Sequence, residues 1–199
     1  MVHPTLHSNM TGSVHVVGLC GSLAAESVTR ISVRTALDGA AEVGGRTSLL
    51  DLRTYDLPPF DADEADAGDA IALRGAIDEA DAIVLGSPVY HGSVASPLKT
   101  ALDYCSRAEF EGKPVGLAVV AGGRFPKPTL SHLREISLSL DARPVPRGVC
   151  VPNAGSALDD GQFRDASLEA RLVDLGRSVA RYADVSEKTT ATNEAVDAV

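Results

Sequence analysis

Two stretches of the chain, Ile83-Val84-Leu85 and Val115 to Val120, are apolar at successive positions. Neighbouring side chains of a strand point to opposite faces, so such a run is satisfied only where both faces are covered. Three further short runs, Val14 to Leu19, Thr47 to Leu52 and Arg147 to Val151, have strand length and strand composition. Between and after the five runs lie longer stretches with helical spacing of apolar residues. Their key positions are Ile31, Val33, Ala36, Leu37 and Ala40, then Ala70 to Glu79, then the segment after Pro97, then Leu130, Leu133, Ile136 and Leu140, and finally Leu168, Leu172, Leu175 and Val179. Strands alternating with helices predict a parallel sheet with helices on both faces. Gly44-Gly45 stops the first helix, and Ser96 followed by Pro97 reads as an N-cap and first helical position. The chain is read as one domain over residues 14–185, with loose polar tails at residues 1–13 and 186–199.

In a sheet of this kind ligands bind beyond the carboxyl ends of the strands. The loops after the first, third and fourth runs are therefore the places to look for function. The first, Gly21 to Arg30, holds Ser22, Ser27, Thr29 and Arg30 between a strand end and a helix start, where free backbone N–H groups and the helix dipole suit a phosphate. Taken alone, Ser27 also reads as an ordinary N-cap and Ser22 as a turn residue. The second is a loop over Ser87 to Ser96 that carries Pro88, Val89, Tyr90, His91, Gly92 and Ser93, an aromatic ring among small residues and free amides, which suits a flat heterocycle with polar edges. The third, Ala121-Gly122-Gly123-Arg124-Phe125, offers flexible backbone where a close approach is needed.

Several phosphate chemistries are excluded by spacing. No Gly-Lys-Ser/Thr occurs, so there is no Walker loop, and the Gly-x-Gly-x-x-Gly dinucleotide pattern is missing from the first turn. A low-molecular-weight phosphotyrosine phosphatase needs arginine six residues after its loop cysteine, and Glu26 stands there after Cys20. A receiver domain needs acidic residues at the end of the first strand, and Leu19-Cys20-Gly21 supplies none. Cys20, Cys105 and Cys150 are odd in number and far apart, without a Cys-x-x-Cys pair, and read as small buried residues rather than a disulfide framework or zinc site.

With these residues in view, the sequence resembles the NADPH-dependent FMN reductase family of flavodoxin-like proteins, over roughly Val14 to Asp184. The resemblance rests on Gly21-Ser-Leu-x-x-x-Ser27-x-Thr-Arg30, on Asp56-Leu-Pro-Pro-Phe-Asp61, and on Ala80-Asp-Ala-Ile-Val-Leu-Gly-Ser-Pro-Val-Tyr-His-Gly-Ser93 followed by Pro97-Leu-Lys-x-Ala-Leu-Asp103. It implies a flavodoxin-like three-layer α/β sandwich with a five-stranded parallel sheet in the order 2-1-3-4-5. It further implies FMN as cofactor, with the phosphate at Ser22, Ser27, Thr29 and Arg30 and the isoalloxazine along Pro88 to Ser93 and against Gly122 and Gly123. NADPH or NADH is the implied co-substrate, with hydride passing from the nicotinamide to flavin N5. Because the cofactors supply that chemistry, no catalytic acid or base is expected. Many relatives have arginine two residues after the first serine of the loop, where Ala24 stands here with Glu26 nearby, so the phosphate is less neutralised and a flavin that exchanges as substrate would suit the site as well as a bound one. A quinone or azo reductase and a flavin-binding electron carrier are the alternatives. Relatives of this type also imply a homodimer or homotetramer and, for some branches, a partner flavin-dependent oxygenase.

Charge sets the remaining bounds. The 199 residues include 18 basic and 27 acidic side chains, for a formal charge of −9. That balance argues against a nucleic-acid or anionic-membrane binder. No run approaches the about eighteen apolar residues of a membrane span, nor is there a basic and then apolar leader, so a cytoplasmic location is expected. Only Lys99, Lys113, Lys127 and Lys188 are lysines, the rest of the 18 being arginine. Acidity with scarce lysine resembles proteins of salt-rich cytoplasms.

Overall fold

The computed structural model describes residues 13–197, with side chains through residue 185; the expected N-terminal tail, apart from Ser13, lies outside the described residues, while the segment expected as a loose C-terminal tail is helical in its backbone through residue 197. The elements follow the alternation of the sequence: β1 (His15–Cys20), α1 (Val28–Ala41), β2 (Arg46–Asp51), α2 (Ala70–Asp78), β3 (Ala82–Tyr90), β4 (Ser93–Val94), α3 (Ser96–Asp103), β5 (Pro114–Val120), α4 (Lys127–Ser139), β6 (Arg143–Pro144), β7 (Val149–Val151) and α5 (Ala166–Asp197). A two-stranded hairpin, β8 (Leu158–Asp159) with β9 (Gln162–Phe163), lies before α5.

The main strands are parallel, in the order β2-β1-β3-β5-β6, with β7 also pairing with β5. The numbering differs from the expected 2-1-3-4-5 for two reasons. A two-residue antiparallel strand, β4, intervenes in the chain, and the outermost strand is split into β6 and β7 by Val145 to Gly148. Register places Leu19 between Leu50 and Leu85, and Val84 opposite Gly116.

The apolar runs divide their side chains as the pleat requires. Val17, Leu19, Ile83, Leu85, Val115, Leu117 and Val119 face a layer containing Leu73 and Ile77 of α2, Leu98 of α3 and Leu133 of α4. Val16, Ala82, Val84, Ala118 and Val120 face the other layer, with Val33 and Leu37 of α1 and Leu172, Leu175 and Val179 of α5. Each such fully buried Leu or Ile stabilises the fold by about 2 kcal/mol. In the second layer α1 and α5 lie side by side, backbone close to backbone. A Cβ on Gly39 would strike the Val173 carbonyl, and one on Gly176 would strike that of Ala36.

Two local expectations are corrected. Ala95, in extended conformation, is the N-cap of α3 and Ser96 is its first residue, with Pro97 next and no side-chain cap bond. The segment from Ser87 to Ser96 is not an open loop. β3 runs on to Tyr90 and turns back at His91-Gly92 to pair with β4, Val89 opposite Val94 and Tyr90 opposite Ser93. His91 (φ 51°) and Gly92 (φ 78°) both take positive φ, as a two-residue primed turn demands.

Candidate functional site

The first loop leaves the end of β1 and enters α1. Gly21 N–H donates to the Gly86 carbonyl at 2.8 Å, tying the loop to the end of β3. A Cβ on Gly21 would meet the Leu98 Cβ at 2.6 Å, so no larger residue fits beneath α3. Ser27 is the N-cap, its Oγ accepting from Arg30 N–H at 3.1 Å. Its own O–H remains a donor. Ser22 is 4% exposed and accepts weakly from Ala24 N–H at 3.4 Å, while Thr29 is buried beside Gly86.

Arg30 is where the structure departs most from the expected arrangement. Its Nε donates to Asp51 Oδ2 at 2.7 Å, its Nη1 to the Ala25 carbonyl at 3.0 Å and its Nη2 to the Ala24 carbonyl at 3.0 Å. It is 7% exposed, and it ties the loop together rather than standing out from it. In a trans peptide the C=O and N–H point in opposite directions. Carbonyls of Ala24 and Ala25 drawn onto the guanidinium therefore turn the N–H groups of Ala25 and Glu26 to the other side of the loop. Among the described residues the amides of Leu23, Ala25, Glu26 and Ser27 donate to nothing. Such a row of amides at a helix start is an anion cradle. Asp51 and the Arg30 role went unread in the sequence, since 21 residues separate the pair and no spacing rule links a strand end to a neighbouring helix start.

The hairpin stands beside this loop at the end of β3. Ser87 at its root is fully buried; its Oγ donates to the Pro88 carbonyl at 2.8 Å and accepts from Ala95 N–H at 3.0 Å, bracing both arms. Pro88 and Val89 are half-buried, and Tyr90, His91 and Gly92 are exposed, Tyr90 at 60%. Ser93 Oγ lies 3.0 Å from His132 Nδ1, which pins the returning strand to α4. His91 makes no hydrogen bond to a carboxylate among the described residues.

The third loop follows β5. The Ala121 and Gly123 carbonyls accept from Ala154 and Asn153 N–H at 2.9 and 3.0 Å, fixing it against the chain beyond β7. Gly122 and Gly123 are exposed, and a Cβ on either would meet nothing within 4 Å. Phe125 beside them is 84% exposed.

The first, second and third loops thus lie at the ends of β1, β3 and β5, which are adjacent in the sheet. An amide cradle, an aromatic hairpin and an open glycine shelf side by side match the parts of a mononucleotide with a flat ring. Cys20 and Cys105 are buried and Cys150 half-buried. Burial raises all three thiols, Cys105 to about 12 by burial and the Glu109 charge, and Cys105 Sγ donates to the Ala101 carbonyl at 3.3 Å.

Fold and site together define a flavodoxin-like mononucleotide-binding α/β protein. Comparison with known proteins narrows the class. Residues 14–156 match the NADPH-dependent FMN reductase family. The FMN-dependent NADPH-azoreductase of Staphylococcus saprophyticus is 34% identical, over 67% of this chain and 85% of that protein. The probable NADPH:quinone oxidoreductase 1 of Oryza sativa subsp. japonica is 33% identical, over 80% of this chain and 86% of its own length. Among solved structures, a flavoenzyme NAD(P)H:(acceptor) oxidoreductase from Paracoccus denitrificans superimposes with a TM-score of 0.69 at 22% identity, covering 86% of this chain and 97% of that one. The chain belongs to the NADPH-dependent FMN reductase family. It is an NAD(P)H-dependent flavin oxidoreductase, with FMN as its flavin and a nicotinamide nucleotide as its co-substrate. Among the described residues no helix is long and apolar enough to cross a membrane.

Proposed function

We propose that the three loops hold FMN and that the flavin exchanges with solution, so that the protein releases reduced FMN as its product. The observation that carries this reading is the row of amides at Leu23, Ala25, Glu26 and Ser27, turned outward by Arg30 while Arg30 itself is neutralised by Asp51. A phosphate there is held by N–H groups and by the hydroxyls of Ser22, Ser27 and Thr29, with no unpaired cation in the loop and with Glu26 exposed nearby. Such a cradle recognises the phosphate without gripping it tightly. The ring is placed along Pro88 to Ser93 and over Gly122 and Gly123, where small residues leave both room and backbone edges. Bound FMN supplies two-electron acceptance from the nicotinamide; the protein's residues stack, orient and exclude water. No side chain is assigned a proton-transfer role, and His91 serves the turn.

A second reading, a quinone or azo reductase that retains its FMN, is favoured by the named activities of the two relatives. Exposed Tyr90, Phe125 and Leu23 beside the loops support a face that a second subunit covers, in a homodimer or homotetramer, and a partner oxygenase is a fitting acceptor for released reduced FMN. A cytoplasmic location, salt-rich in keeping with the acidic composition, completes the proposal. Dialysis followed by steady-state NADPH oxidation distinguishes the readings. Loss of flavin on dialysis, with turnover restored by free FMN and saturating in it, supports exchange. Retained flavin, with turnover that needs a quinone or azo dye and is indifferent to added FMN, supports the second reading.

A further inference from the structure

Away from the three loops, the open edge of the sheet forms a second concave surface. α4 flanks β7 on one face and α5 on the other, and the groove between them has a volume of about 690 Å³. Its floor is apolar, with Leu130, Val149 and Leu175, and Gly148 lies so close beneath that a Cβ would meet Leu130 Cδ1 at 2.6 Å. Its walls carry Arg134, Arg147, Arg171, Arg177 and Arg181.

Five guanidinium groups on one groove are unexpected in a chain of formal charge −9. The carboxylates that answer them are few. Asp174 and Glu42 both pair with Arg177, at 2.9 and 2.5 Å. Arg134 is held instead by backbone, its Nη2 donating to the Val145 carbonyl at 3.0 Å and the Pro146 carbonyl at 3.3 Å. Arg147, Arg171 and Arg181 have no carboxylate within ion-pair distance among the described residues. Screening over about 8 Å at physiological ionic strength hides the distant acidic surface, so this local excess governs what binds. The arginine fork matches phosphate oxygens two at a time, and an apolar floor accepts a ring face. Arg171 also lines the adjoining cavity of about 590 Å³ that reaches Arg124 and Lys127, next to the glycine shelf.

We infer that this groove binds a nucleoside diphosphate moiety, its phosphates between Arg147, Arg171 and Arg181 and its base on the Leu130–Leu175 floor. Binding in the groove is independent of the proposed flavin placement, on which only the co-substrate source below rests. The same chemistry has two sources: a separate nucleotide acting as effector, or the ADP half of a nicotinamide co-substrate extending along the edge from the glycine shelf.

The test is calorimetric titration of the full chain, free of flavin and at low ionic strength, with ADP, inorganic phosphate and adenosine. One ADP per chain is expected, with phosphate and adenosine each binding more weakly. In Arg147→Gln/Arg171→Gln, ADP affinity is expected to fall about a hundredfold, because two charge-assisted contacts are removed. The exposed positions keep the fold intact, to be checked by far-ultraviolet circular dichroism, and FMN titration should be unchanged. Steady-state kinetics separate the sources. ADP competing with NADPH, with a raised KM in the double variant at unaltered kcat, assigns the groove to the co-substrate; ADP binding without effect on that KM assigns it to a separate nucleotide. The inference is overturned by absent ADP binding, by equal binding in the double variant, or by inorganic phosphate binding as tightly as ADP.

Discussion

Arg30 and Asp51 meet across the base of the first loop, Nε to Oδ2 at 2.7 Å, with the arginine side chain 9% and the aspartate side chain 22% exposed. The pair joins the first turn of α1 to the end of β2, and the same guanidinium gathers the Ala24 and Ala25 carbonyls. The shape of the proposed phosphate cradle depends on a residue that need not touch the phosphate. Arg30→Ala is expected to lower stability by about 2 kcal/mol and weaken FMN binding about tenfold. Arg30→Lys should recover little of either, because an ammonium cannot span both carbonyls and the carboxylate. Asp51→Asn keeps an acceptor but removes the neutralising charge, so it should retain FMN more firmly through dialysis. Chemical denaturation and fluorescence titration of FMN measure both effects, and an Arg30→Ala protein with unaltered flavin affinity contradicts the role given to the pair.

The turn at His91-Gly92 makes a separate prediction. Both residues have positive φ, a conformation that asparagine tolerates and β-branched residues do not. His91→Asn should keep both stability and kcat, since the histidine serves the turn and not the chemistry. Gly92→Val should cost about 1–2 kcal/mol and reduce activity by misplacing Tyr90. A large loss of kcat in His91→Asn, with a normal unfolding midpoint, would show that the imidazole does chemistry.

Gly122 and Gly123 separate folding from binding. A methyl group on either meets nothing in the protein, so alanine at these positions should leave the melting temperature unchanged. If the flavin lies over this shelf, Gly123→Ala should nevertheless weaken FMN binding. Unchanged affinity in both alanine variants would move the ring elsewhere.

The thiols give a pH-dependent prediction. Only the thiolate reacts, and burial raises all three cysteines above the ordinary thiol value, Cys105 to about 12. At pH 8 a disulfide reagent should leave Cys20 and Cys105 unmodified in the folded chain and react slowly, if at all, with half-buried Cys150. Raising the pH should recruit Cys150 before Cys105. Denatured protein should titrate as three thiols, and three fast-reacting thiols in the native protein would contradict the burial.

Much of this architecture is readable from the sequence because hydrophobic runs report burial directly. Ile83-Val84-Leu85 and Val115 to Val120 could only be central strands, and they lie side by side as β3 and β5. The hairpin after β3 escaped because its turn is His-Gly and not the Asn-Gly or Asp-Gly pair that marks primed turns, and because β4 is only two residues long. The split of the outer strand into β6 and β7 is local as well, set by Pro146 and the paired residues on either side. At the candidate site, the Gly and Ser residues of the strand-end loops are legible because they mark exposed backbone beside strand ends. An arginine in a phosphate loop reads as a ligand, whereas the structure shows Arg30 bound to Asp51 and to the loop carbonyls. The pairing with Asp51 is set by the packing of β2 against β1, which no local pattern records.

The most direct test of the central claim is the visible spectrum of the flavin-free protein titrated with FMN and then treated anaerobically with NADPH. The account predicts a perturbed flavin band that saturates at one FMN per chain and bleaches on addition of NADPH. It also predicts that the Arg30→Ala protein needs markedly more FMN to reach the same spectrum. A flavin spectrum identical to that of free FMN at every ratio, or bound flavin that NADPH leaves oxidised, would contradict it.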